Sequence, residues 1–412
     1  MRIVTAYAYD TAIANLQKRQ QDLSETQTQL TSGKRVNRAS DDPTAAARAE
    51  RALASIARAD ANKRALDASA NVMGIAESAL GDSVDLLQSA REALVAAGNG
   101  SYSDGERKAL AIKLREIRNQ LLNVANRPDG GGGYVFGGQG ASLPPFIDST
   151  SGVTFQAQSG ELLASSSEKL NLTVDGGQIF LKSKTGNGVF VTEPKAGSNS
   201  GKSWITAGNV TDPSQLPYPS GGGTSATYEL RFAGSGTSRT YDIVDTSTTP
   251  ETPLVTGQAF NSGKAIQVPG KGMTVTVSGE PANGDIFTIG ESTNSQNVFK
   301  TLDDTIAALS QDNLQGPAAQ QIVNTSMTSI DSALNNFLGA RAAAGESLNR
   351  MEGIESRISS LKLAAQQEKS TAEDLDLTDA ISKFQGQQTG YEAALQSYAA
   401  VQKLSLFNYI NG

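Results

Sequence analysis

AYAYDTAIANLQKRQQDLSETQTQL, residues 6–30, sets the architecture. Counting every third and fourth residue gives Ala6, Tyr9, Ile13, Leu16, Gln20, Leu23, Gln27 and Leu30, the spacing of a coiled-coil seam. Two of the eight positions are glutamine, so the stripe is weak alone and calls for a partner. Gly33 stands where a helix of this length would stop. The far end of the chain repeats the pattern at Leu377, Ile381, Phe384, Gln388, Tyr391, Leu395, Tyr398 and Gln402.

Charge supports pairing of the ends. Residues 1–40 hold Arg2, Lys18, Arg19, Lys34, Arg35 and Arg38 against Asp10, Asp22 and Glu25. Residues 371–412 hold Glu373, Asp374, Asp376, Asp379 and Glu392 against Lys383 and Lys403. Opposite net charge on two amphipathic helices favours their association. The plainer reading is two independent surface helices on a globular core.

Working inward, Asp42 and Pro43 read as the cap and first position of an Ala-rich helix. Its stripe runs Leu66, Met73, Leu80, Leu87, Leu94, and Gly98-Asn99-Gly100 ends it. A third helix from about Asp104 to Asn126 aligns Leu110, Leu114, Ile117, Leu121 and Val124. On the return side 297–312 and 317–369 read as helices, the second about 80 Å long at ~1.5 Å per residue. Its seam takes in Ile330, Leu334, Phe337, Leu348, Met351, Ile358 and Ala365, and Ser370 to Asp374 suggests a capping box that restarts the last helix.

Between the helical arms the composition turns to Gly, Ser, Thr and Pro, and 14 of the 23 aromatic residues lie from Tyr134 to Phe299. Alternating runs at 153–155, 170–174, 228–232, 241–243 and 273–277 predict antiparallel strands. The stretch 193–224 reads as a long surface loop. The expected fold class is therefore α+β and multidomain, a coiled-coil or helical-bundle rod from both termini with an inserted β-rich domain. Its parts would be 1–40 with 371–412 as a terminal coiled-coil domain, 41–140 with 297–370 as a helical rod, and 141–296 as the β-rich outer domain.

Composition argues against catalysis. The chain has no cysteine and no histidine, which removes thiolate chemistry, disulfides and the commonest general base and metal ligand. No cofactor or metal is expected. A net charge of −7 disfavours nucleic-acid binding, and no apolar run approaches a membrane span. The N-terminus turns polar too soon for a cleavable secretory signal.

Three stretches imitate ligand sites. Ala196 to Ser203 nearly matches a phosphate-binding loop but has Ala196 for its first glycine and no helix after it. Gly130 to Gly140 is followed by Pro144-Pro145, so a hinge or hairpin fits better than a dinucleotide fingerprint. The acidic pairs Asp41-Asp42, Asp303-Asp304 and Asp374/Asp376 fall where helices start or run, which capping and solvation explain.

Several of these stretches also carry a resemblance. Gln29-Leu-Thr-Ser-Gly-Lys-Arg-Val-Asn-Arg-Ala-Ser-Asp-Asp-Pro43, Tyr134-Val-Phe136-Gly-Gly138, Asp374-Leu-Asp-Leu-Thr-Asp-Ala-Ile381 and Gln387-Gln-Thr-Gly-Tyr-Glu-Ala-Ala-Leu395 resemble the flagellin superfamily. Asp-Asp-Pro before an Ala-rich run is closer to the type 3 hook-associated, or hook–filament junction, family. The ending Leu404-Ser-Leu-Phe407-Asn-Tyr409-Ile departs from filament flagellins. Gly132 and Gly133 stand where the family often has polar residues. The likeness covers about 1–140 and 297–412.

The resemblance implies a structural subunit, secreted through the flagellar type III channel as a loosely folded chain. It would sit in the extracellular flagellum at the junction of hook and filament. Implied partners are the preceding junction protein, flagellin, further copies in a head-to-tail ring, and an export chaperone. The implied inter-subunit and chaperone surface is Ile13, Leu16, Leu23 and Leu30 with Leu377, Ile381, Phe384, Tyr391, Leu395, Tyr398 and Phe407. A filament flagellin is the alternative within the superfamily. An adhesin or surface enzyme acting through the β-rich domain is the alternative outside it.

Overall fold

A computed structural model describes residues 2–164, 168–219, 225–314 and 316–410, with side chains described from Tyr7 to Ala400 except at residue 8. Seven helices and eleven strands follow in the order α1 Arg2–Ser32, α2 Pro43–Ala97, α3 Asp104–Ala125, β1 Phe146–Ser149, β2 Gly152–Phe155, α4 Gly176–Leu181, β3 Phe190–Pro194, β4 Ser203–Ile205 and β5 Asn209–Val210. They continue with β6 Tyr228–Ala233, β7 Thr240–Asp245, β8 Thr252–Ala259, β9 Ala265–Val268, β10 Met273–Gly279, β11 Ile286–Glu291, α5 Val298–Leu309, α6 Gly316–Glu373 and α7 Leu377–Ile410. The long terminal helices around a β-rich centre are the α+β architecture expected. The chain divides into two compact units, Met1–Arg64 with Gly353–Gly412, and Ala65–Glu352.

In the first unit α1 and α7 run antiparallel. Beside them the start of α2 and the end of α6 face each other through Ala45, Ala49, Ala52 and Ala59 against Ile354, Ile358, Ala365 and Ala372, all buried. Lys63–Glu355 and Lys362–Asp60, each 2.6 Å, flank this contact.

The second unit holds the remaining helices and all the strands. Leu66, Met73, Leu80, Leu87 and Leu94 are at most 2% exposed, so the seven-residue stripe of α2 is its core face. Leu114, Ile117, Leu121 and Val124 of α3, Phe299, Leu302 and Ile306 of α5, and Ile330, Phe337 and Met351 of α6 are buried as well. Ser103 and Glu106 form a capping box at the start of α3.

An aromatic cluster ties the helices to the loops beyond α3. Phe180 lies in its middle, with ring centroids at 4.8 Å to Phe337, 5.1 Å to Phe146, 5.2 Å to Phe136 and 5.9 Å to Phe299. Two glycines permit this packing. A Cβ on Gly138 (φ +61°) would sit 2.1 Å from the Gln158 carbonyl oxygen, and one on Gly176 2.7 Å from that of Phe136. Next to the cluster the buried Arg118 donates to both Asp148 and Asp303, with its guanidinium 5.9 Å from the Phe299 ring centre. The Gly-rich stretch after α3 is a tight hairpin: Pro128 bridges Tyr134, and Asp129 Oδ1 accepts from the N–H groups of Gly131 and Gly133.

The strands build a sandwich of antiparallel sheets. One has the order β3-β11-β6-β7-β8, and the other has β4-β10-β5 with β9 also on β10. Phe190, Tyr228, Leu230, Phe232 and Phe287 from the first meet Ile205, Val268, Val275 and Val277 from the second in one core. β1 and β2 form a separate hairpin.

Three local expectations are corrected. The run 170–174 forms only an isolated bridge, Leu163 with Asn171, instead of a strand. Within 193–224, β4 and β5 both pair with β10, so this is not a plain loop; 220–224 lie outside the described residues. The cap of α7 is Asp376, whose Oδ1 accepts from the N–H groups of Thr378 and Asp379, while Ser370 to Glu373 still belong to the end of α6.

Candidate assembly interface

The terminal pair meets along a seam shifted from the heptad read in the sequence. On α1 the inward positions are Tyr9, Ala12, Leu16, Leu23, Thr26 and Leu30, with Thr26 buried. On α7 they are Ala380, Phe384, Gln387, Tyr391, Ala394 and Tyr398. Of the eight expected positions on each helix, four on α1 (Tyr9, Leu16, Leu23, Leu30) and three on α7 (Phe384, Tyr391, Tyr398) are inward. Gln20 and Leu377 are exposed, and the side chains of Ala6 and Gln402 lie outside the described residues. At the others the inward position is one residue earlier. Ala12 and Thr26 replace Ile13 and Gln27, and Ala380, Gln387 and Ala394 replace Ile381, Gln388 and Leu395. Narrow residues in alternate layers let the two backbones approach, which a search for large apolar residues misses.

Three contacts set the register of this antiparallel pair. Tyr9 and Tyr398 meet edge to face, with ring centroids 6.1 Å apart. Thr26 Oγ1 donates to Gln387 Oε1 at 2.7 Å. The Arg19 guanidinium lies over Gly390, where an added Cβ would fall 2.7 Å from Nη1.

The shift leaves a second, outward stripe. Ile13 is 40% exposed, Leu377 55%, Ile381 48% and Leu395 43%, and Tyr7 also faces outward. Leu16, Leu23, Leu30, Phe384, Tyr391 and Tyr398 are half-buried in the pair. The side chain of Phe407 lies outside the described residues.

Opposite charge acts at a different place from the one expected. Among the described residues no ion pair links α1 to α7 along their lengths; the charges meet in the joint below them. Gly33 (φ +68°) ends α1, and Lys34 then forms a β-bridge with Asp374. Arg35 N–H donates to Glu373 O at 2.7 Å, and Leu375 N–H to Gly33 O at 3.1 Å. The Arg35 guanidinium reaches the Ala372 carbonyl at 2.8 Å and the Asp42 carboxylate at 3.2 Å, linking the end of α6 to the cap of α2. Glu373 receives Lys34 at 3.1 Å and Lys369 at 3.2 Å.

Asp41, Asp42 and Glu373 of the joint titrate below their ordinary range. Asp41 is held down by the N–H groups of Arg38 and Asn37, and Asp42 by the Ala45 N–H and then Arg35. Burial pushes Glu373 up, but Lys34 and Lys369 together outweigh it. This is structural electrostatics: every carboxylate has a fixed donor.

The tempting ligand motifs serve the fold. Ser203 opens strand β4 where a phosphate loop would need a helix. Among the described residues no three or more carboxylates are grouped to hold a metal ion, and no helix is long and apolar enough to cross a membrane.

The candidate interface is therefore a helix pair with a spare apolar stripe, held by a joint built from Ser32-Gly-Lys-Arg-Val-Asn37 and Asp41-Asp42. The family model for the bacterial flagellin N-terminal helical region matches residues 3–141, and that for the C-terminal helical region matches 327–410, together more than half of the chain. The chain belongs to the flagellin family. Flagellar hook-associated protein 3 of Salmonella typhimurium is 26% identical over 413 residues, covering 99% of both chains. The crystal structure of Xanthomonas campestris FlgL is 28% identical, with a TM-score of 0.66 over 78% of this chain and 99% of that one. The flagellar junction protein FlgL from Legionella pneumophila is 25% identical, with a TM-score of 0.63 over 71% of this chain and 95% of that one. Filament proteins of the family match only 26–34% of the chain. Among flagellin-family features, the Ser-Gly-Lys-Arg segment was visible in the sequence, but its role as the clamp between α6 and α2 was not. Only the bridge to Glu373 and Ala372, more than 300 positions away, reveals it.

Proposed function

We propose that the chain is a structural subunit of the bacterial flagellum that joins hook to filament and catalyses no reaction. The observation that carries this reading is likeness to hook-associated protein 3 over 99% of the chain, against likeness to filament proteins over 26–34% of it. In this reading 1–40 with 371–412 form an inner coiled-coil layer, 41–140 with 297–370 a rod layer, and 141–296 the outer domain. Subunits join head to tail in a ring, a heterologous contact, with the preceding junction protein on one side and flagellin on the other. The outward stripe of Ile13, Leu377, Ile381 and Leu395 meets neighbouring copies. Before that, an export chaperone covers the same face of α7 and the subunit leaves through the type III channel. A seam containing Thr26 and Gln387 suits ends that fold late, because each buried polar group needs its one partner in place.

Electron microscopy of a deletion strain tests the proposal. Bare hooks with flagellin shed into the medium are expected, and filaments of normal length would refute it. The filament-flagellin alternative requires the purified chain to grow long filaments by itself.

A further inference from the structure

The β-sandwich is joined to the helices through a narrow neck. Residues 182–185 lead into it and 292–296 lead out, side by side. Ser183 and Gln296 exchange both backbone hydrogen bonds at 3.1 Å, and Thr185 N–H donates to Thr293 O at 2.9 Å. The sandwich core is closed on itself: every residue of its hydrophobic cluster lies between Val189 and Ile289. Among the described residues no strand of the sandwich runs packed along a helix.

Open clefts flank this neck on two sides, and α6 floors both. The first, about 540 Å³, lies between β3–β4 and α5–α6 and is lined by Val191, Ile205, Ala308 and Ile322 among others. The second, about 590 Å³, lies between the turn 186–188 and the 328–336 stretch of α6. Gly186 and Thr328 line both. Each cleft is crossed by a hydrogen bond. In the first, Ile205 N–H donates to Gln321 Oε1 at 2.8 Å, and Gln321 Nε2 is itself held by Thr325 Oγ1 at 2.9 Å. At the second, Ser332 Oγ donates to Lys184 O at 2.5 Å.

A folded body on two short strands, with empty space on both sides and no packed face against its support, has little to resist tilting. Among the described residues the sandwich core shares no buried apolar cluster with the helices, and such burial is the dominant source of rigidity between packed bodies. We infer that 182–185 and 292–296, anchored to α6 by Ser332 on Lys184 and by Gln296 on Ser329, form a hinge on which the sandwich rocks, with the Gln321 contact to Ile205 as its latch. Closing one cleft opens the other. The motion is a hinge rather than a shear, because a few extended residues absorb it while both bodies keep their cores. The outer domain can thus change its inclination with the helices undisturbed.

The chain has no cysteine, so two introduced ones carry two labels and nothing else reacts. Thr256 on β8 and Gly339 on α6 are exposed, and nothing lies near a Cβ built at 339. Spin labels at T256C and G339C in the full chain give the distance distribution between sandwich and helix by pulsed dipolar spectroscopy. Gln321→Ala, which removes the latch, broadens or shifts that distribution. Ala308→Phe, which fills the first cleft, narrows it. Unchanged circular dichroism and melting confirm that each variant is folded. A distribution that Gln321→Ala leaves untouched overturns the hinge, whatever Ala308→Phe does.

Discussion

Replacing Phe180 with alanine removes the ring on which the aromatic cluster converges. Phe180 is fully buried and meets Phe136, Phe146, Phe299 and Phe337. A buried Phe→Ala change costs about 3–5 kcal/mol in transfer and cavity terms. Four ring partners place this site at the upper end, because each oriented aromatic pair adds roughly 0.5–1.5 kcal/mol beyond burial and those terms overlap. The expected loss is about 4–5 kcal/mol. In a unit of this size that lowers the helical transition by about 8–10 °C, at roughly 2 °C per kcal/mol. The assay follows far-UV circular dichroism for the helices and the fluorescence of Trp204, the chain's one tryptophan, for the sandwich. Phe180→Leu, which refills most of the volume, should recover more than half of the loss. A fall of under about 1 kcal/mol in Phe180→Ala would refute the claim that these rings hold the loops to the helices.

Three further outcomes follow from the geometry. Ile13→Asp, Ile381→Asp and Leu395→Asp should leave monomer stability within about 0.5 kcal/mol, as surface changes do, yet abolish addition to hook ends; loss of helix in these monomers would show that the stripe faces inward. Gly138→Ala should cost at least about 2 kcal/mol by denaturant midpoint, from its positive φ and the close Gln158 carbonyl, whereas Gly130→Ala, with open space around it, should cost about 1 kcal/mol. The joint should also titrate: the depressed values of Asp41, Asp42 and Glu373 give stability that is fully present above the ordinary carboxylate range of about 4 and lost as pH falls through their lowered values. Hydrogen exchange at 33–42 should therefore stay slow from neutrality to about pH 4.5 and quicken below it; quickening already between pH 7 and 5 would contradict the assignment.

Large apolar residues announced the fold well. Leu66, Met73, Leu80, Leu87 and Leu94 lie where their spacing put them, and so do Leu16, Leu23, Phe384 and Tyr391. What escaped was carried by small or polar residues. Ala12, Thr26, Ala380 and Gln387 have no hydrophobic signature, yet they form alternate layers of the terminal pair. Ile13 and Ile381 have that signature and point outward. The strands at 203–205 and 209–210 are too short for alternation to register; pairing with β10 makes them strands. The joint depends on contacts between residues more than 300 apart, and no local pattern encodes those.

Lys34 and Asp374 close a loop of about 340 residues, and inside it Ser183 and Gln296 close another. The chain is thus nested, and nesting orders events in time. During synthesis or threading from the N-terminus, α1 emerges first and its partner α7 last. Contacts of such long separation form slowly, and a helix waiting for them is exposed to aggregation. The polar content of α1, with Thr26 in its seam and Gln20 and Gln27 beside it, keeps the waiting helix soluble, and the seam threonine weakens the final grip.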